Sequence, residues 1–453
     1  MAPEPLTEGS EIKLGSPVAG SQLGALCAVE LQLDALRKAA KAANAAKDHR
    51  YFGLEPFGDT DAGKLGYIVG VGRLPEAPNH PIIVNPRDFT HGTTSFQIDY
   101  LQMYAACAAD PEVSRHLDQC LTLYADEAPV ELEDAPDWSL LIALAFLKEL
   151  HDLVQRQLRR GFVQREADLR ARVRGQIDIN RYITRSLTRG HAEIIPCRFQ
   201  EFQTDTLENR ILRAGLTAAR RLLDGATGLG TAGQIWARQA DQALAGASIT
   251  RVTHRDLHQA RRTGAYRHYA RPLDLAKAVL TRAGFDPNTP LNTNKARIIP
   301  FRLLTYELFE RYVEHQLRAC AGWSVWAGYH DRNLGEKFKI RPDFIITNGD
   351  QKIIVDAKYK DMAAQSSGAP DSDTSFRSDV YQLMAYSRHQ EVKKLAPENI
   401  NPTMVLLVYP GSGTANCLNI ILNPNNGPPA LTCYKSFTIP LAQYAMHVPS
   451  QSI

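Results

Sequence analysis

Long apolar runs are missing from this sequence. The longest, Leu140–Leu147, falls far short of the roughly 20 residues that a bilayer-spanning helix needs. No membrane association is expected, and no basic, apolar and small-residue signal pattern opens the chain, so the expected location is cytoplasmic. Cysteine is sparse and scattered, at positions 27, 107, 120, 197, 320, 417 and 433. None forms a CxxC pair, so a zinc site or a disulfide framework has no support, and an odd, dispersed set suits a reducing compartment. Neither sign of charge dominates: 52 Lys and Arg stand against 49 Asp and Glu, and a net charge of +3 says nothing about partners. A working nucleotide loop is also missing. Gly58-Asp-Thr-Asp-Ala-Gly63-Lys64 has most of a P-loop's spacing, but Leu65 stands where Ser or Thr should reach Mg²⁺. The text after it is β-rich, whereas a helix N-terminus is what cradles phosphate. No cofactor-binding loop and no NTPase of the chain's own are expected.

What is present is a chain of 453 residues, 44% apolar and 22% charged, which reads as a globular protein of two or three domains. Residues 1–130 read as a mostly β N-terminal domain, with β-runs GYIVGVGRL and PIIVNPRDF and a helix near Ile98–Ala109. Residues 131–295 read as a helical middle domain. A helix capped at Asp137 or Ser139 is expected to run to about Arg160, others span Thr206–Leu223 and Pro272–Ala283, and Gly225–Gly233 reads as a loop. Charge here is uneven. Between His151 and Gly190 there are ten arginines against four acids, and Arg251–Arg271 holds six arginines and three histidines with one acid. Such runs suit a polyanion, since neutralised phosphates release counterions, or else form solvated faces. His254 and His258 have a metal-compatible spacing but no acidic or cysteine companion, which favours a basic surface contact.

Residues 296–453 change texture again. Phe301–Leu317 reads as an amphipathic helix, Trp323–Gly328 as a strand, and FIIT, KIIVDAKY, TMVLLVYP and LNIIL as further strands, with a helix at Ser378–His389 and a loop at Ala363–Ser375. The expected fold class is α+β and multidomain, ending in an α/β domain with a mixed sheet.

Chemistry concentrates in Pro342-Asp343 and Asp356-Ala357-Lys358. A turn at Asn348-Gly349 or Gly349-Asp350 joins the two β-branched runs. A two-residue turn sets Asp343 opposite residue 354 or 356, so that Asp343, Asp356 and Lys358 share one face; an odd turn would break this. Two converging carboxylates make a hard oxygen site for Mg²⁺ or Mn²⁺. Such an ion lowers the pKa of a bound water, and Lys358 can orient that water and offset charge on a phosphate. A surface hairpin with an incidental ion pair is the bland alternative, but Asp and Lys flanking one small residue are odd choices on an Ile/Val strand.

Pro342-Asp343 with Asp356-Ala-Lys358-Tyr359 resembles the PD-(D/E)xK nuclease signature, and the DAKYK ending resembles the McrC family of restriction subunits. Leu308-Phe309-Glu310 resembles that family's LFE segment, whose Glu often completes the metal site. Asp379-Val-Tyr-Gln382-Leu-Met-Ala-Tyr386 resembles its D-x-x-Q-x-x-x-Y helix, and Arg174-Gly175-Gln-Ile-Asp178 and Cys197–Arg210 resemble its central segments. The match spans about residues 65–410. Helical spacing alone leaves Glu307, Glu310 and Glu314 equivalent; only the resemblance singles out Glu310.

The resemblance implies a DNA endonuclease subunit of a modification-dependent (5-methylcytosine) restriction system with a PD-(D/E)xK nuclease core. Asp343, Asp356, Glu310 and the Ala357 carbonyl are then the expected metal ligands, with Lys358 catalytic and Gln382 assisting. It also implies double-stranded DNA and a McrB-like AAA+ GTPase hexamer as partners, the hexamer docked by the N-terminal domain. The rival readings are a stand-alone repair or recombination nuclease and a non-catalytic activator of an AAA+ NTPase.

Overall fold

The computed structural model describes residues 6–9, 11–13, 33–56, 62–75, 77–91, 94–132, 138–224, 230–283, 285, 296–328, 342–349, 351–360, 378, 379, 381, 382, 386, 404–411 and 445–447. It is a mixed α/β protein with several sheets. Two compact units are present, one formed by Met1–Tyr124 with Pro300–Ile453 and the other by Ala125–Ile299. The first unit thus combines residues 1–124 and 300–453 of the segments expected as the first and third domains, while residues 125–130 and 296–299 of those segments join the middle segment in the second. Among the described residues no helix is long and apolar enough to cross a membrane.

The first unit contains a five-stranded sheet in the order Leu6–Thr7, Ala77–Asn85, Ile68–Leu74, Phe301–Leu304, Leu121–Leu123. Phe301–Leu304 departs from expectation, being a strand and not the first turn of a helix. All four of its residues are buried, which a strand in mid-sheet accommodates by burying both faces. The helix that follows spans Thr305–Arg318. The two glycines of the GVG run are there for close approach. Gly70 has φ +145°, and a Cβ on it would strike the Phe301 carbonyl; a Cβ on Gly72 would strike the Arg302 guanidinium. Ala62–Lys64, the described part of the P-loop-like segment, is a strand.

The same unit holds a second five-stranded sheet in the order Ser324–Ala327, Phe344–Asn348, Gln351–Ala357, Met404–Gly411, Ala445–His447. The first two pairings are antiparallel and the last two parallel, so this sheet is mixed. Ile345, Ile346, Ile353, Ile354 and Val355 are all buried, the continuous burial of strands covered on both faces. LNIIL and the Ala363–Ser375 loop lie outside the described residues. Of the expected Ser378–His389 helix, residues 378, 379, 381, 382 and 386 are described, and these are helical.

The second unit is largely helical, with helices Ser139–Gln155, Leu207–Leu223, Gly230–Ala243 and Ala270–Ala283. Thr206 caps the second, its side chain accepting from the Asn209 N–H. The first helix ends at Gln155 rather than Arg160, and Gly230–Gly233 is helical rather than loop. The largest departure is Gly161–Arg170, which pairs antiparallel with Ile194–Gln203, joined by Gln176–Ile177. Most residues of these strands are exposed or half-buried, so no apolar alternation marks them in the sequence.

One ion pair in this unit has a legible pH dependence. Asp205 accepts from Arg210 Nε and Nη2, both at 2.8 Å, and from Ser248 N–H at 2.7 Å and Oγ at 2.9 Å. The Arg210 hydrogen bonds hold its pKa down at about 2. A depressed carboxylate adds stability that is present above its unfolded value of about 3.9 and is lost as pH falls through the folded one. Asp205→Asn should cost about 2 kcal/mol at neutral pH and flatten the fall in unfolding free energy between pH 4 and 2, read by urea titration.

Candidate active site

The site begins at a turn. Asn348 pairs with Gln351, leaving two residues to reverse the chain, and Gly349 takes the left-handed φ of +55° that such a turn requires. Of the two registers open to the sequence, the one that sets Asn348 opposite Gln351 is adopted. Phe344 faces Val355, so Asp343 is carried to the level of Asp356. Asp343 is clipped at both ends: its carbonyl accepts from Gly328 N–H and its Oδ2 from Ala357 N–H, each at 2.7 Å. Lys358 N–H donates to the Val408 carbonyl at 2.8 Å, tying the strand end to its parallel neighbour.

Burial makes this pair of carboxylates costly. Asp356 is 2% exposed. Burial pushes the Asp343 carboxyl well above the usual range, and the Asp356 and Glu310 carboxylates push it further. Burial also raises Asp356, against the pull of Lys358. Lys358 Nζ stands 2.6 Å from Asp356 Oδ2 as an ion pair. Burial alone would lower the Lys358 pKa, but the charges of Asp356, Asp379 and Asp343 hold it above its ordinary value.

The structure brings Gln382 to the site as well. Its Oε1 accepts from Lys358 Nζ at 3.0 Å, while its Nε2 donates to the Tyr386 hydroxyl at 2.6 Å. Asp379, one helical turn earlier, accepts from Lys360 Nζ at 2.9 and 3.0 Å. Among the described residues no three acidic, histidine or cysteine side chains close into a ready-made metal cage. Each carboxylate here except Asp343 is already met by a cation.

The three glutamates of the Thr305–Arg318 helix, equivalent by spacing, are separated by their surroundings. Glu314 is fully buried between Arg311 at 3.1 Å and Arg318 at 2.7 Å. Glu307 meets the Tyr306 hydroxyl at 3.3 Å. Glu310 is the one whose charge acts on Asp343, and Arg311 Nη2 donates to it at 2.6 Å. Glu314 therefore has a structural role. Glu314→Ala removes the buried acid that Arg311 and Arg318 share and should cost about 3–5 kcal/mol in denaturant unfolding; a loss under 1 kcal/mol would remove that assignment.

One group escaped sequence reasoning. Side chains alternate at the strand end, so Tyr359 turns away from Lys358 into the core, where its ring meets Tyr67, Phe89 and Phe309. Its hydroxyl donates to Glu8 Oε1 at 2.8 Å, as does that of Tyr100 at 2.9 Å, and Thr305 Oγ1 donates to Oε2. Glu8 is 1% exposed, and burial raises its pKa. Nothing around Glu8 in the poorly patterned N-terminal text points to this anchor, because its partners stand 79 to 351 residues away.

Against this geometry, a family model described as "McrBC 5-methylcytosine restriction system component" matches residues 67–410. The chain belongs to that family. Two solved structures are similar to it at a distance. One, a "Refined half-complex from tetradecameric assembly of Thermococcus gammatolerans McrB AAA+ hexamers with bound McrC", matches with 17% identity over 90% of this chain and 88% of the other, at a TM-score of 0.37. The second, a "Cryo-EM structure of the Thermococcus gammatolerans McrBC complex", matches with 18% identity over 69% and 86%, at a TM-score of 0.30. Scores below 0.5 do not establish a common fold. No curated protein matches the chain.

Proposed function

We propose that this protein is the DNA endonuclease subunit of a McrBC-type restriction system, with a PD-(D/E)xK site at the end of the Phe344–Ala357 hairpin. The observation that carries the reading is the juxtaposition of half-buried Asp343 and buried Asp356 with Lys358 beside them. Two acids held side by side repel, and Lys358 offsets only one of the two charges. A divalent cation such as Mg²⁺ or Mn²⁺ answers that excess with the hard oxygen ligands it prefers. The residues thus fit a metal. Asp343, Asp356, Glu310 and the Ala357 carbonyl would hold it, and it would supply an activated water and charge for the phosphate.

The protein's own groups then have separate work. Ala357 N–H orients the Asp343 carboxylate. Gln382 aims the Lys358 ammonium, whose raised pKa keeps it protonated at neutral pH, so that it can balance charge developing on a phosphate oxygen. Glu310→Gln is expected to lower cleavage about 10–100-fold while leaving the fold intact, since Glu314 and not Glu310 ties Arg318 down. Family membership supports a separate McrB-like AAA+ GTPase as partner, and so does the strand at Ala62–Lys64, which leaves the P-loop-like lysine without a helix N-terminus.

The test is a DNA cleavage assay with Mg²⁺, run with and without a McrB-type GTPase and GTP. Cutting that needs both, and is lost in Asp356→Ala and Lys358→Ala, supports the proposal. Cutting that survives those substitutions would sink the site, and GTP-independent cutting would favour a stand-alone nuclease.

A further inference from the structure

The two arginine-rich runs meet in the second unit. Arg156, Arg159 and Arg160 lie between the Ser139–Gln155 helix and the Gly161–Arg170 strand, while Arg267 and His268 come from the turn Gly264–Tyr269. With Phe202 they line an open pocket of about 490 Å³.

Many arginines of these runs are already engaged. Arg165 and Arg174 pair with Glu201, Arg181 with Glu166, and Arg261 with Glu208. The pocket arginines differ. Among the described residues no carboxylate meets the guanidinium of Arg156, Arg159 or Arg267, and Arg160 donates to the Phe202 carbonyl at 3.2 Å while lying 5.1 Å above its ring. Four arginines therefore line one open pocket, and among the described residues no acid pairs with them.

The pocket wall is also braced from beneath. Arg159 N–H donates to the Tyr269 hydroxyl at 2.7 Å, and its carbonyl accepts from Asn209 Nδ2 at 3.0 Å. The Tyr269 hydroxyl in turn donates to Asn209 Oδ1 at 3.0 Å, and both residues are fully buried. Gln157 takes φ +68°, a conformation non-glycine residues seldom adopt. Burial and the charges of Arg159, Arg156 and Arg267 lower the His268 pKa, as a concentrated positive field should.

Guanidinium forks match the oxygens of a phosphate. An acidic peptide would satisfy the charge as well, but the rim adds an aromatic face. Phe162 is 72% exposed and Phe202 50% exposed, with ring centroids 5.2 Å apart, and bases stack on such rings where they leave the duplex. We propose that this pocket is a second DNA-binding site: it seats a backbone phosphate, with an adjoining unpaired base against Phe162 and Phe202. This rests on the DNA substrate proposed above but not on the nuclease centre.

The experiment measures fluorescence anisotropy of labelled single-stranded and duplex DNA with the full chain carrying Asp356→Asn, so that binding is read without cutting. Adding Arg156→Gln, Arg159→Gln and Arg267→Gln should weaken DNA about 10–100-fold and reduce the slope of log affinity against log salt by about two to three. Replacing the same three with lysine should restore most of the slope, and Phe162→Ala should weaken single strands more than duplex. An unchanged affinity and slope in the glutamine variant would overturn the proposal. So would a pocket that binds GDP or pyrophosphate in the parent, loses them in the variant and leaves DNA unaffected, or one emptied equally well by poly-glutamate. Absence of cleavage alone would count against the nuclease centre and leave this binding result standing.

Discussion

Asp343→Asn is expected to raise the melting temperature in metal-free buffer and to slow DNA cleavage by about 10²–10³-fold. Both effects follow from the same buried pair. Asp343 has its carboxyl pKa raised by burial, by Asp356 and by Glu310. A raised carboxyl means the folded state binds a proton more tightly than the unfolded chain. Ionising it therefore costs stability, increasingly as pH rises from the unfolded value of about 3.9 through the folded one. Asparagine removes that cost and still offers an oxygen to Ala357 N–H. It also removes a proposed ligand, so Mg²⁺ should raise the melting temperature of the parent and leave the variant unmoved. Differential scanning fluorimetry with and without Mg²⁺ reads both. A variant that melts lower than the parent without metal, together with no Mg²⁺ shift in the parent, would rule out the carboxylate pair as the ion site.

Arg302→Met should destabilise the first unit by about 3–5 kcal/mol in denaturant unfolding. The Arg302 side chain is 1% exposed and donates to the carbonyls of His49, Val71, Arg50 and Phe301 at 2.6 to 3.1 Å. It also lies 3.6 Å over the Phe52 ring. Methionine fills comparable space but takes the guanidinium donors away from four carbonyls. Arg302→Lys should recover little, because a single ammonium cannot reach the directions that the planar fork spans. A methionine variant within 1 kcal/mol of the parent would show that those carbonyls find other donors.

Much of the site was legible because it is local. Asp343, Asp356 and Lys358 sit on one hairpin, and strand alternation with a two-residue turn is enough to gather them. Gln382 was reached only through the resemblance of its helix to the D-x-x-Q-x-x-x-Y segment, since helical spacing alone does not say which strand that helix meets. The Thr206 cap and the helices after Thr206, Ser139 and Ile98 were likewise written in nearby residues. Phe301–Leu304 was not: four buried residues ahead of an amphipathic helix extend its pattern, and only their pairing with Ile68–Leu74 and Leu121–Leu123 makes them a strand. The Gly161–Arg170 and Ile194–Gln203 strands stayed hidden for the opposite reason, since exposure leaves them no apolar face to read.

The sequence by itself thus determined the hairpin that carries Asp343, Asp356 and Lys358, the helices of the middle segment and the two basic runs, all set by periodicity and turn chemistry over short spans. The tertiary structure alone decided the register of that hairpin, which glutamate acts on Asp343 and which arginines, among the described residues, meet no acid. It alone brought Glu8 beneath Tyr359. Those outcomes depend on residues tens to hundreds of positions apart competing for the same buried charge, and no local pattern records who wins.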